Sequence, residues 1–182
     1  MPQTQIATSF SAHFPDIRMR LHPERIPDGE AQVLRRVIVD KGEIGALFTA
    51  FRATRRQAVV PLGTPFAYPM RVEELVQRLD ETKPSFRATF EAMRDSLMAT
   101  PGPIDIEIPG YHLDGGEVLL LDGNHRAVGL YLGERPFTLR ITMLAAPVDR
   151  RYLITLKHWD GGIRRFPKRL RRRFARLKTG AR

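Results

Sequence analysis

Five consecutive residues, Asp122-Gly123-Asn124-His125-Arg126, bring together a carboxylate, a glycine, an amide, an imidazole and a guanidinium. Such a set can hold an anion, orient a donor, move a proton or supply one ligand to a divalent cation. The flanking residues give it a geometry. Residues 118–121 form an unbroken apolar run that ends at Asp122-Gly123, the pattern of a short strand buried on both faces and closed by a turn. Beyond Gly123, Ala127, Leu130 and Tyr131 recur at helical spacing, and Gly133 stands where a helix C-cap glycine belongs. The motif therefore falls at a strand-to-helix junction, with His125 and Arg126 in the first helical turn. A helix N-terminus presents free N–H donors and the positive end of its dipole. With Gly123 admitting close approach to the backbone, the five residues suit a phosphate cradle. An N-capped helix with exposed polar residues fits the local pattern equally well.

Elsewhere the chemistry is sparse. The chain has no cysteine, which removes disulfides, thiolate metal sites and cysteine nucleophiles and agrees with a reducing, cytoplasmic setting. His13, His22 and His158 lack metal-ligand spacing. His112, across an expected hairpin from the junction, reads as a structural histidine before an acid–base one. A two-metal nuclease needs clustered carboxylates, and only Asp122 has a motif around it. The serine-hydrolase elbow, the Walker lysine loop and the dinucleotide glycine fingerprint are all missing.

The elements that must position the motif follow from spacing. Ile17, Met19 and Leu21 alternate and allow a short strand, while residues 31–39 fit helix or strand alike. Ile44, Leu47, Phe48 and Phe51 fall at i, i+3, i+4 and i+7 and predict an amphipathic helix over residues 43–56, with Arg52, Arg55 and Arg56 at its solvated basic end. Pro61, Gly63, Pro65 and Pro69 mark a connector. Val72, Leu75, Val76 and Leu79 share a helical face, which residues 70–76 could begin as a strand. Phe86, Phe90, Met93 and Leu97 predict a helix closed by Pro101-Gly102-Pro103. Residues 104–108 alternate as a half-exposed strand, Asp114-Gly115 is a hairpin turn signal, and residues 137–144 and 152–159 read as further strands.

A length of 182 residues suits one domain with a core, and its 42% hydrophobic and 27% charged make-up is ordinary, so the net charge of +10 is what stands out. That charge is local. Residues 1–163 carry 20 Lys/Arg against 20 Asp/Glu, and residues 164–182 carry 10 Lys/Arg and no acid. Phe166, Leu170, Phe174 and Leu177 would form one face of a basic amphipathic tail helix, able to dock on the domain itself or to meet nucleic-acid phosphates, an acidic partner or, least of all, a membrane surface. No apolar stretch approaches the ~20 residues of a membrane span, and the first residues lack the layout of a secretory signal.

The sequence Leu-Leu-Leu-Asp-Gly-Asn-His-Arg-Ala-Val-Gly-Leu-Tyr-Leu-Gly, continuing through Glu134-Arg135-Pro136 to the apolar residues 137–144, resembles the core of the ParB/sulfiredoxin superfamily. Its members carry an Asp-Gly-His-His-Arg or Gly-Gly-Cys-His-Arg type motif between a strand and a helix. The resemblance covers about forty residues well and residues 70–144 more loosely. It implies an α/β (α+β) fold, a small mixed sheet with flanking helices. A superfamily-like domain would span residues 70–163, with a helical N-terminal extension (1–69) packed on it and a basic tail (164–182). It further implies a nucleotide (ATP, ADP or CTP with Mg2+) held by Gly123, Asn124, His125 and Arg126. Asp122 and His125 would be the catalytic groups and Asp122 the metal ligand, with a small molecule as acceptor. Two departures narrow this. Asn124 replaces the sulfiredoxin cysteine, which excludes that activity. Lys83-Pro84 is followed by Ser85-Phe86 rather than the His-Glu pair of the free-serine kinases, so a base must come from elsewhere, with Glu73, Glu74 and Glu91 as candidates. The Gly-Glu-Arg-Arg motif of ParB proper is absent. The expectation is a nucleotide-dependent phosphotransferase or nucleotide hydrolase. The alternative is a nucleic-acid-associated protein anchored by its tail.

Overall fold

The apolar runs and alternations of the chain assemble into a mixed sheet carrying helices on its faces. In the computed structural model, which describes residues 5–17, 19–27 and 29–159, the elements are α1 (Gln5–His13), β1 (Gln32–Ile38), α2 (Lys41–Gly45), β2 (Phe48–Ala53), β3 (Tyr68–Arg71), α3 (Val72–Gln77), α4 (Pro84–Ala99), β4 (Ile104–His112), β5 (Val118–Leu120), α5 (Asn124–Leu132) and β6 (Phe137–Ala145). The strands lie in the order β1-β6-β4-β5-β2-β3. β4 runs parallel to β6 from Ile104↔Phe137 to His112↔Ala145, and β4 and β5 form the hairpin signalled by Asp114-Gly115. β2 meets β5 in parallel at a single pair, Phe48↔Leu119. The expected boundary between residues 69 and 70 falls inside β3, and β1 and β2 share the sheet with β4–β6. The tail, residues 164–182, lies outside the described residues. No described helix is long and apolar enough to cross a membrane.

Two cores, one per sheet face, explain the apolar run at the junction. Val118 and Leu120 join Phe90, Ile108, Val128 and Leu139 beneath α3, α4 and α5. Leu119 and Leu121 join Phe10, Tyr111, Leu153 and Trp159 on the opposite face. A strand covered on both sides has no polar alternation to show. α5 lies close along α4 because Gly129 has no side chain; a Cβ there would stand 3.1 Å from Met93 Cγ and Leu97 Cδ1 and 3.2 Å from the Arg94 nitrogen.

Several expectations fail for physical reasons. The helix expected over residues 43–56 is the short α2, started by Asp40 accepting from the Glu43 N–H at 3.1 Å, and then the strand β2. Phe48 and Phe51 sit on opposite sheet faces, one against each core, and that mimics a helical stripe. Residues 152–159 hold a 3-10 turn, Ile154–His158, rather than a strand. The alternation at Ile17, Met19 and Leu21 yields one isolated bridge, Leu21↔Leu153.

Candidate functional site

The five-residue motif occupies the expected junction. The Leu121 N–H is held by the Pro109 carbonyl at 3.0 Å, and the chain turns at Gly123 with φ 73° and ψ 15° to start α5. That left-handed conformation favours glycine. A Cβ on Gly123 would also drive into Ile108 Cγ2 and stand 3.0 Å from Ile108 Cβ. The direction matters. The space left open by the missing side chain is filled by the sheet, so Gly123 is required for packing and backbone angle, a different reason from the phosphate approach read in the sequence. α5 begins without a side-chain cap, and its first ladder bond is Ala127 N–H to the Gly123 carbonyl at 2.9 Å.

This helix N-terminus opens on a cleft of about 730 Å³. Asp122 to Arg126 form one wall, Ala50 and Phe51 of β2 a second, and Asp16, Ile17 and Met19 after α1 a third. The cleft lies where β2 and β5, paired once, part toward their carboxyl ends, a place where open α/β sheets bind ligands.

Each motif side chain has a definite task. Asn124 Oδ1 accepts from the Ala50 N–H at 2.8 Å, bridging the gap between β2 and α5. One lone pair of its carbonyl oxygen is thereby committed to the fold, while the second and the amide nitrogen have no hydrogen-bond partner among the described residues. His125 stacks on Phe90 with centroids 4.9 Å apart and meets Phe51 edge-on at 5.8 Å. Arg126 Nη2 donates to Asp122 Oδ2 at 3.2 Å, and Nη1 donates to the Glu107 carbonyl at 3.4 Å. The Asp122–Arg126 pair is about a third exposed on each side (32% and 36%), so water screens it and it opens at little cost.

Asp122 is thus placed to meet a cation. Among the described residues there is no group of three or more His, Asp or Glu that could cage a metal ion. A Mg2+ ion commonly takes one or two carboxylates, several waters and substrate phosphate oxygens, and Asp122 on the cleft wall fits that donor set.

The candidate bases lie elsewhere. Glu73 accepts from Gln77 at 3.2 Å, Glu74 from Tyr68 at 2.7 Å and Glu91 from Arg87 at 2.8 Å; none lines the cleft. His112 borders a separate depression with Glu30 and Asp114. His22 pairs with Glu24 at 3.1 Å, and His13 lies edge-on to Phe14. Besides Asp122, the acidic residue that lines the cleft is Asp16, exposed on the wall formed after α1. Its only sequence signal is the turn-forming Pro15-Asp16, far along the chain from residue 122. Arg52 also departs from expectation. Arg55 and Arg56 are exposed, whereas Arg52 is buried on β2, where its Nε donates to His158 Nε2 at 2.9 Å.

Comparison with protein-family models, with curated proteins and with solved structures returns no match to this chain.

Proposed function

We propose that the cleft binds a nucleotide through its phosphates at the start of α5, with Mg2+ beside Asp122, and that the protein is a phosphotransferase toward a small molecule or a nucleotide hydrolase. The observation that carries this reading is the junction itself. An uncapped helix N-terminus opens on a cleft whose wall holds a weakly paired Arg126–Asp122 couple. A phosphate at α5 would compete with Asp122 for Arg126, and Asp122 would then be the carboxylate available to hold a magnesium ion, so that neither side chain would be left uncompensated.

Phosphoryl transfer rests mainly on positioning and on charge stabilisation. Arg126 and the α5 N–H groups would serve the phosphate, and Asp122 would hold a Mg2+ ion supplying further charge stabilisation. Phe51 and His125 give the cleft an aromatic wall suited to a flat ring. Asp16 lies on the wall that an acceptor would occupy and is the carboxylate placed to accept its proton.

The test is thermal unfolding with ATP, ADP or CTP, each with Mg2+. A nucleotide-dependent rise in Tm that disappears in Arg126→Ala supports the reading; no rise with any of the three sinks it. The basic residues 164–182 favour a second reading, nucleic-acid association, on charge alone. It predicts binding with a steep salt dependence, and salt-insensitive binding would remove it.

A further inference from the structure

A positive charge is buried beside the wall of the cleft without a counter-charge among the described residues. Arg52 is only 6% exposed. Its Nε donates to His158 Nε2 at 2.9 Å and its Nη1 to the Ala50 carbonyl at 3.1 Å. Its Nη2 is buried with no hydrogen-bond partner among the described residues. Arginine has no acceptor, so His158 must be neutral here, with its proton on Nδ1. Burial, reinforced by Arg52 and then Lys157, pulls His158 down to about 4, and burial alone lowers Arg52. Among the described residues no carboxylate contributes to either group. Lys157 donates to the Leu62 carbonyl at 2.7 Å. Arg52 and Lys157 both disfavour a proton on His158, which therefore stays neutral. Buried charges in proteins are paired or coordinated, because leaving a guanidinium donor unmade in a low-dielectric site is costly.

The contacts of this group tie it to the cleft. Ala50, whose carbonyl takes Nη1, lines the cleft, and so does Met19. Thr155, in the same 3-10 turn as His158, meets Met19 Sδ at 3.5 Å. The guanidinium is thus joined to the cleft wall directly through Ala50, and its partner His158 belongs to the turn whose Thr155 touches Met19. Methionine is unbranched, with several rotatable bonds, and such a wall yields readily.

We propose that Arg52 is a second anion-binding group of the cleft, meeting an oxyanion of the ligand (a carboxylate or a phosphate oxygen) with Nη2 once the wall beside Ala50 opens. The ligand class is then a small molecule carrying two separated oxyanion groups, a description of its other end that rests on the phosphate reading of α5. His158 fixes the guanidinium by accepting from Nε, and Nη2 supplies the contact.

The full chain, labelled with 15N-arginine and 13C-histidine, is titrated at neutral pH with inorganic phosphate and, separately, with acetate. Saturable shifts of the Arg52 Nε–H and His158 ring signals are expected, and the arm that produces them identifies the group accepted. In Arg52→Gln the affinity read from the His158 signals falls about tenfold or more, the loss expected for one charge-assisted hydrogen bond. In Arg126→Ala the response at His158 persists. Arg52 and His158 signals that stay still in the wild-type chain overturn the proposal, leaving an ordered water as the partner of Nη2, and that readout needs no variant to fold. Unchanged affinity in a folded Arg52→Gln overturns it equally. Phosphate that moves Arg126 alone leaves the α5 reading standing without the second site, and movement at Arg52 alone does the reverse.

Discussion

Replacing Gly123 by alanine separates the two reasons a glycine can stand at the start of α5. The first cost is the backbone angle. At φ 73° an alanine pays about 1–2 kcal/mol for the left-handed conformation. The second is the new Cβ, which runs into Ile108 Cγ2; overpacking of a closed core costs about 1–3 kcal/mol. Together Gly123→Ala loses about 2–5 kcal/mol, a fall in Tm on the order of 10 °C for a domain of this size. Ile108 is fully buried, so Ile108→Ala alone loses about 2–5 kcal/mol. In the double variant the overlap with Cγ2 has no partner, while the 3.0 Å approach to the Cβ of residue 108 and the backbone angle remain. The combined loss is therefore smaller than the sum by most of the overpacking share, on the order of 1–2 kcal/mol. Urea denaturation of the four proteins measures this cycle. Losses that add to within about 0.5 kcal/mol would refute the packing explanation. The cycle has a functional arm as well. The added methyl faces the sheet rather than the cleft, so the double variant binds nucleotide as Ile108→Ala does. A selective loss of binding in the double variant would return Gly123 to the role of admitting phosphate.

Three further outcomes follow from the same geometry. Asp122→Asn removes the acid that shares Arg126; the pair is worth about 0.2–1 kcal/mol at this exposure. Calorimetry should show Mg2+-free nucleotide binding tightening by up to about fivefold while the gain from added Mg2+ is lost; retained Mg2+ dependence would contradict the metal assignment. Asn124→Ala orphans the Ala50 N–H at a cost of about 1–3 kcal/mol, and amide exchange at Ala50 should accelerate there but not in Asn124→Asp, which keeps the acceptor; unchanged protection in the alanine variant tells against the bridge. His158 titrates near 4 when folded against an ordinary 6.5, so the unfolded chain binds the extra proton. The stability it contributes is full above about pH 6.5 and declines as pH falls toward 4. Urea midpoints should drop more from pH 7 to pH 5 in the wild type than in His158→Gln, and equal drops would show that His158 is not the titrating group.

The sequence signalled the junction well because its information is local. An apolar run, a turn glycine and a helical period lie within sixteen residues, and the turn conformation at Gly123 bears them out. β2 was misread because its two phenylalanines serve two different cores, and period alone cannot distinguish a strand buried on both faces from a helical stripe. The settings of His125 and Asn124 were invisible for a related reason. Each is defined by a partner on another element, Phe90 on α4 and Ala50 on β2, and no spacing within the motif encodes those meetings. Arg52 was placed in solvent together with Arg55 and Arg56 because a cluster of arginines normally is; one residue of strand alternation turns it inward. Asp16 had no motif at all. The turn after α1 brings Asp16 into the lining of the cleft that Asp122 also lines.

That turn has a thermodynamic consequence. One wall of the cleft belongs to Pro15, Asp16, Ile17 and Met19, carried on a segment that α1 docks against the second core. Beyond the turn the segment is fastened by the bridge Leu21↔Leu153 and by the His22 N–H on the Tyr152 carbonyl at 2.7 Å. It can detach without breaking a ladder of the six-stranded sheet. Any ligand that touches both this wall and the α5 wall binds the docked form in preference, so ligand binding and segment docking are linked reciprocally. Whatever loosens α1 weakens the ligand by the factor by which the ligand would have tightened α1. In that sense the first helix of the chain acts as a clasp on the cleft, and its protection from proteolysis reads out how full the cleft is.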